Sequence, residues 1–207
     1  MSRPWLDSAW KERLKDGLEP VLKSPKLESE ISTYRGVPFA LFAYPPTAER
    51  ELRREVQNLA TRVDQATGRR VHILSMAALK RRAIETAFGD VDRFYDSERR
   101  HRDLPTKERL TLLNDQLDQV LSDPELLPIH QQVVEYAGSL GARSSLLFLT
   151  RIGTLYPAYR ASALLENLMG KVPVPTVLFY PGTRSGKHSL RFMDSLDAVH
   201  GYRHKIY

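Results

Sequence analysis

The sequence predicts an α/β fold: a mostly parallel sheet of about four to five strands, with helices on both faces and a helical insertion. Three observations carry this. Two runs, Phe39-Ala40-Leu41-Phe42-Ala43-Tyr44 and Ser145-Leu146-Leu147-Phe148-Leu149-Thr150, are almost wholly apolar, as strands buried on both faces are. A third, Pro175-Thr176-Val177-Leu178-Phe179-Tyr180, has the same character. Segments of helical spacing lie between such runs. Alternating strands and helices build parallel sheets, because a parallel connection needs a crossover.

Residues 5–24 read as an amphipathic helix, with Trp5, Trp10, Leu14 and Leu18 on one stripe and Pro20 and Pro25 limiting it. Leu27 to Ser32 adds a further helical turn, and residues 1–33 form an N-terminal helical segment. The first strand spans Gly36 to Tyr44, with Pro38 where a missing donor is tolerated, and Pro45-Pro46 stops it. Thr47 is the expected cap of a helix reaching about Thr67, with Glu49 and Glu51 at its positive end. In that helix Leu52, Val56, Leu59 and Val63 step by four, three and four onto one face, and Gly68 ends it. Arg70 to Ser75 is a second strand and Met76 to Phe88 a second helix.

Residues 89–142 are the expected insertion. Its first part, Gly89 to Arg102, is polar and reads as a surface loop or helix end. Pro105 suits the first turn of a helix from Thr106 to Leu121, with Leu110, Leu113, Leu117 and Val120 on its apolar face. Another helix runs from about Pro128 to Ser139. The insertion either packs on the sheet or projects as an arm. After the strand Ser145–Thr150 come a loop, a helix over Ala158 to Met169, the strand ending at Tyr180, and a loop Pro181-Gly182-Thr183. Ser189 to Asp197 reads as helical, and Gly201 to Tyr207 as a last edge strand. The whole, residues 1–207, reads as a single α/β domain.

Composition bounds the chemistry. The chain has 207 residues, 42% hydrophobic and 27% charged, as soluble globular proteins have. No apolar run approaches the roughly 18 residues of a membrane span. The start, Met1-Ser2-Arg3-Pro4-Trp5, lacks the apolar core of a secretory signal, and no cysteine is present. Disulfides, thiolate zinc sites and cysteine nucleophiles are excluded, and a cytoplasmic location without membrane contact is expected. The net charge of +6 permits nucleic-acid contact, but Arg is interleaved with Glu and Asp along the chain.

The run Gly182-Thr183-Arg184-Ser185-Gly186-Lys187-His188-Ser189 is an incomplete phosphate loop. Only three residues separate its glycines, and His188 stands where a magnesium-binding hydroxyl belongs. Its amides and Lys187 could hold an anion. Of the six histidines only His200 and His204 are four apart, and Gly201 argues against a shared helix. No Gly-x-Ser-x-Gly elbow occurs. In parallel sheets the functional crevice lies beyond the carboxyl ends of the strands. Arg151 and Arg184 then fall on loops at adjacent strand tips, able to bind phosphate or a partner carboxylate, or only to fix their own loops. Glu166 and Asn167 lie opposite the apolar face of their helix. Lys80-Arg81-Arg82 and Arg99-Arg100-His101-Arg102 are the basis for an alternative reading as a DNA-binding module.

Two blocks resemble the BrxB family of bacteriophage-exclusion (BREX) systems. They are Leu147-Phe148-Leu149-Thr150-Arg151-Ile152-Gly153-Thr154-Leu155-Tyr156-Pro157 followed by Arg160 to Leu168, and Pro173 to Thr183 followed by Ser189-Leu190-Arg191-Phe192. The family's Asn-Tyr-Tyr-Arg-like end reads His200-Gly201-Tyr202-Arg203 here. The resemblance implies a cytoplasmic component of a phage-defence system whose other members include a DNA methyltransferase, a PglZ-type protein and a P-loop ATPase. It carries no catalytic motif, cofactor or metal. The expected role is non-catalytic: bridging other BREX proteins, the PglZ-type protein first, in a complex that blocks phage DNA replication. DNA would be contacted directly or through the complex. Interaction or anion-binding candidates are Arg151, Gly153, Tyr156, Arg160, Glu166, Asn167, Gly182, Arg184, Lys187 and Arg191. DNA-binding candidates are Lys80, Arg81, Arg82, Arg99, Arg100 and Arg102.

Overall fold

The computed structural model describes residues 9–32, 38–184, 189–193, 199–200 and 205–207; of Arg184, Ser189, Val199 and His200 it describes only the backbone. The amino-terminal amphipathic segment is helical from Ala9 to Lys23: α1 (Ala9–Glu12), a π-helical stretch Arg13–Leu18, and α2 (Glu19–Lys23). Trp10, Leu14, Leu18 and Leu22 are buried along it, and Trp5 lies outside the described residues. A short α3 (Leu27–Ile31) follows.

Strand β1 (Phe39–Tyr44) is buried throughout, as its apolar run requires. Helix α4 (Glu49–Thr67) buries Leu52, Val56, Leu59 and Val63 and ends at Gly68, whose φ of 68° suits glycine. Thr47 does not cap it. Thr47 sits inside a 3-10 turn, Pro46–Ala48, and the residue at the cap position is Ala48, which has no side-chain cap bond. Strand β2 (Arg70–Ser75) leads directly into α5 (Met76–Phe88).

The polar stretch after Gly89 is a helix rather than a loop. The Asp90 side chain accepts from the Arg93 amide at 2.7 Å and starts α6 (Val91–Arg99), which buries Phe94 against Phe88. Helix α7 (Thr106–Ser122) buries Leu117, Val120 and Leu121, but Leu110 is 54% exposed and does not share that face. Helix α8 (Ile129–Gly138) completes the insertion. Gln132 is buried and donates to the Leu79 and Leu127 carbonyls at 3.3 and 3.0 Å, locking α8 to α5. The insertion therefore packs on the sheet and does not project from it.

Strand β3 (Ser145–Thr150), α9 (Ala161–Leu168) and β4 (Thr176–Arg184) follow. The stretch Pro181-Gly182-Thr183 is not a loop. It continues β4 and pairs antiparallel with β5 (Ser189–Phe192), Gly182 opposite Phe192 and Thr183 opposite Arg191. Residues 189–192 are accordingly strand, not helix. Strands β6 (Val199–His200) and β7 (Lys205–Ile206) end the chain, and β7 is the expected edge strand.

The parallel sheet runs β2-β3-β4-β1-β7, with β5 and β6 extending from the far half of β4. The chain steps from β1 across to β2, then returns through β3 to β4. This reversal puts successive crossover helices on opposite faces when connections are right-handed. One core joins α1, α2, α3 and α4 to Phe42, Phe148 and Phe179; the other joins α5 to α9 to Leu41, Leu147, Leu149, Leu178 and Tyr180.

Candidate functional site

The carboxyl end of β3 is held by several contacts. Arg151 follows the last strand residue in the left-handed region, φ 59°, and turns the chain into a 3-10 segment, Ile152–Leu155. The Arg151 carbonyl accepts from the Thr154 amide at 3.1 Å and the Thr154 hydroxyl at 2.8 Å. Lys80 reaches across from α5 and donates to the Thr154 carbonyl at 3.0 Å. Burial holds the Lys80 ammonium below its ordinary pKa. Gly153 faces Met193 and Pro181: a Cβ there would stand 3.1 Å from the Met193 sulfur. Tyr156 and Tyr180 both pack on Phe192, with ring centroids 5.9 and 5.3 Å away. Gly153 and Tyr156 are thus packing residues that seat the loop on the β4–β5 hairpin.

Beyond Tyr156 the same loop forms one wall of a cleft of about 720 Å3. Arg160 and Asn167 line it from this side, and the insertion supplies Asp115 and Asp118 from α7 and His130 from α8. Asp115, Asp118 and Arg160 are exposed, and none makes an ion pair among the described residues. Tyr159 is buried at the base. Burial pushes its hydroxyl pKa up, opposed by a hydrogen bond with Asn167 and aided by the charge of Asp118. Asn167 also donates to the Ala163 carbonyl at 2.9 Å, so its orientation is set from within α9. Burial, with the charge of Lys171, holds His130 below its ordinary pKa, and its Nδ1 is buried with no partner among the described residues. The cleft offers carboxylates on one wall and a guanidinium on the other. That arrangement has the chemistry to grip a polar or charged group. No cluster of metal-ligating side chains occurs among the described residues.

The other sequence candidates scatter. Glu166 is exposed on α9 outside the cleft. Arg191 is exposed on β5. Gly182 is buried in β4, and its φ of 154° with the Arg191 carbonyl 2.0 Å from a notional Cβ gives it a packing role. The register Leu149 to Leu178 places Arg151 level with Tyr180, so Arg184 begins four residues farther along β4. The two arginines are therefore not neighbours at adjacent tips. The Arg184 side chain and Lys187 lie outside the described residues.

Half of the DNA-binding candidates are ion-paired among the described residues. Arg81 pairs with Glu85 at 2.7 Å, Arg99 with Asp96 at 2.9 Å, and Arg102 approaches Asp103 at 3.8 Å. Arg82 and Arg100 are exposed without an ion pair among the described residues. Asp115, Asp118, His130 and Tyr159 escaped the sequence reading. Two aspartates three apart on a helix look like a solvated face, and only the fold, which brings α7 and the start of α9 to one cleft, turns them into a wall.

Comparison with known proteins adds family to geometry. The model of a family described as BREX protein BrxB matches residues 82–206, from within α5 to the end of β7 and across the whole cleft. A curated relative, BREX protein BrxB of Bacillus cereus (strain H3081.97), is 35% identical over 66 residues, 31% of this chain. The match spans 34% of that relative's length. No solved structure matches. Among the described residues no helix is long and apolar enough to cross a membrane.

Proposed function

Because the chain belongs to the BREX protein BrxB family, we propose that it serves a phage-defence system as a non-catalytic subunit that holds other BREX proteins together. The observation that carries this is the cleft. Arg160 and Asn167 from the loop and helix after β3 meet Asp115 and Asp118 from the insertion, all in the family-matched region. Opposed charges without internal ion pairs suit a protein partner whose own charged side chains enter the cleft; complementary pairs of this kind set orientation and specificity more than raw affinity. The loop beneath is held by packing on Phe192 and by Lys80, so the wall is presented ready-made.

The partner to test first is the PglZ-type protein, and the complex is cytoplasmic. The test is co-purification of the tagged chain with the other proteins of its operon, comparing wild type with Arg160→Ala and Asp118→Ala. Loss of one partner from a folded variant supports the bridge. Retention of every partner together with loss of phage protection would move the role of the cleft to a small ligand.

A further inference from the structure

The other end of the sheet carries a second surface. Strand β2 is the last strand of the parallel order and, among the described residues, pairs only with β3, from Arg70 opposite Ser145 to Ser75 opposite Thr150. In a parallel pair, alternate residues turn both backbone groups the same way. The Arg70 amide donates to the Ser144 carbonyl at 2.8 Å, and the Leu74 carbonyl accepts from the Thr150 hydroxyl at 3.3 Å, so Arg70, His72 and Leu74 face β3. Val71, Ile73 and Ser75 therefore face the open edge. One of their groups is already occupied: the Val71 amide donates to the Asp64 carboxylate at 2.6 Å, from the end of α4. The Val71 carbonyl, both groups of Ile73 and the Ser75 amide have no hydrogen-bond partner among the described residues. Ile73 is also 40% exposed, among the most exposed large apolar side chains described.

Natural edge strands are blunted by charge, proline, bulges or cover. Here the blunting stops at Val71. We infer that the open edge of β2 at Ile73 receives an extended segment of a partner protein, which adds a strand to the sheet. Backbone groups at strand spacing recognise a strand by hydrogen bonding, and Ile73 supplies a side-chain contact. Charge selects among strands. Arg70 is exposed beside the edge with no ion pair among the described residues, and the Asp64 carboxylate is held on the Val71 amide. An acidic residue at the segment's end near Arg70 matches this edge, whereas a second copy of β2 pairing antiparallel about Ile73 would set Ser75 and Met76 there, neither of which carries a carboxylate. The surface lies outside the family-matched residues and none of its residues lines the cleft, so a bridge would have two docking sites. The inference rests on the bridging reading only in taking its occupant from another protein.

The test uses the full chain, alone and in the complex it forms when co-expressed with the other proteins of its operon. Amide hydrogen exchange is read at Ile73 and Ser75, and complex yield is read for Ile73→Pro and Ile73→Lys. Ile73→Pro deletes a donor that points away from β3, where an edge strand tolerates proline. Should it fail to fold, Ile73→Lys and the exchange data decide. Strand addition predicts exchange at Ile73 slowed on the order of tenfold or more in the complex, and a comparable loss of yield in folded variants. A complex with a fast Ile73 amide and unaffected variants overturns this inference and leaves the cleft reading standing. Failure of wild type to form any complex overturns both. Protection in the chain alone, with doubling of its mass in sedimentation, assigns the edge to a second copy and overturns the partner segment.

Discussion

Gly182 lies so close to Arg191 that a Cβ on the glycine would stand 2.0 Å from the arginine's carbonyl oxygen. Strands β4 and β5 meet here, and the glycine that opens an apparent phosphate loop is explained by that contact. Gly182→Ala must push the strands apart and hold alanine at a φ of 154°. The expected cost is roughly 2–4 kcal/mol, read by urea denaturation. A variant of wild-type stability would return Gly182 to a ligand-binding role.

Lys80 should behave as a structural residue. Its ammonium is half-buried and bound to the Thr154 carbonyl. Lys80→Met is expected to destabilise the chain by about 1–2 kcal/mol, the scale of a charge-assisted bond with partial desolvation. Retention on duplex DNA at low salt should not change. Were Lys80 a phosphate contact, the slope of log affinity against log salt would fall by about one.

The two ends of α7 should respond differently. Leu117→Ala, in the core, is expected to cost about 2–4 kcal/mol, and Leu110→Ala, at the exposed end, under about 0.5. Thermal melts of the two variants check this. Equal losses would mean that the exposed face of α7 is covered in solution.

A pH dependence follows from Glu19. Arg62 grips its carboxylate through Nε and Nη2 at 2.9 and 2.7 Å, and Lys23 adds a third contact at 2.7 Å. The hydrogen bond from Arg62 is the main cause that brings its pKa down to about 2 from 4.5; burial opposes it and Lys23 assists. The folded pKa is the lower one, so the unfolded chain binds the proton more readily. Stability from this group is full above pH 4.5 and is lost as pH falls toward about 2. With Arg62 and Lys23 partly exposed, its size is about 1–3 kcal/mol. Glu19→Gln should flatten the denaturation midpoint over that range; an unchanged pH profile would rule the group out.

Much of the fold was legible because local signals agreed with tertiary packing. The four, three and four spacing of Leu52, Val56, Leu59 and Val63 marks a buried face, and the left-handed Gly68 ends that helix. Helix α6 was harder: only Asp90 signals its start, amid charges that suit a loop equally well. The β4–β5 hairpin was not legible. Pro181-Gly182 reads as a turn, and its strand character depends on a partner supplied by residues 189–192. Arg160 and Asn167 stood out in the sequence, but Asp115 and Asp118 acquire meaning only when the insertion folds back beside α9.

The bridging role places a BREX partner in the cleft between α7, α8 and the loop after β3. The most direct measurement is the affinity of the purified chain for each co-purifying BREX protein, in wild type and in an Asp115→Lys, Asp118→Lys variant with an unchanged circular dichroism spectrum. One partner is expected to be weakened on the order of a hundredfold or more, the effect of reversing charges at a paired interface, while another is retained. Equal affinity of wild type and variant for every partner would contradict it.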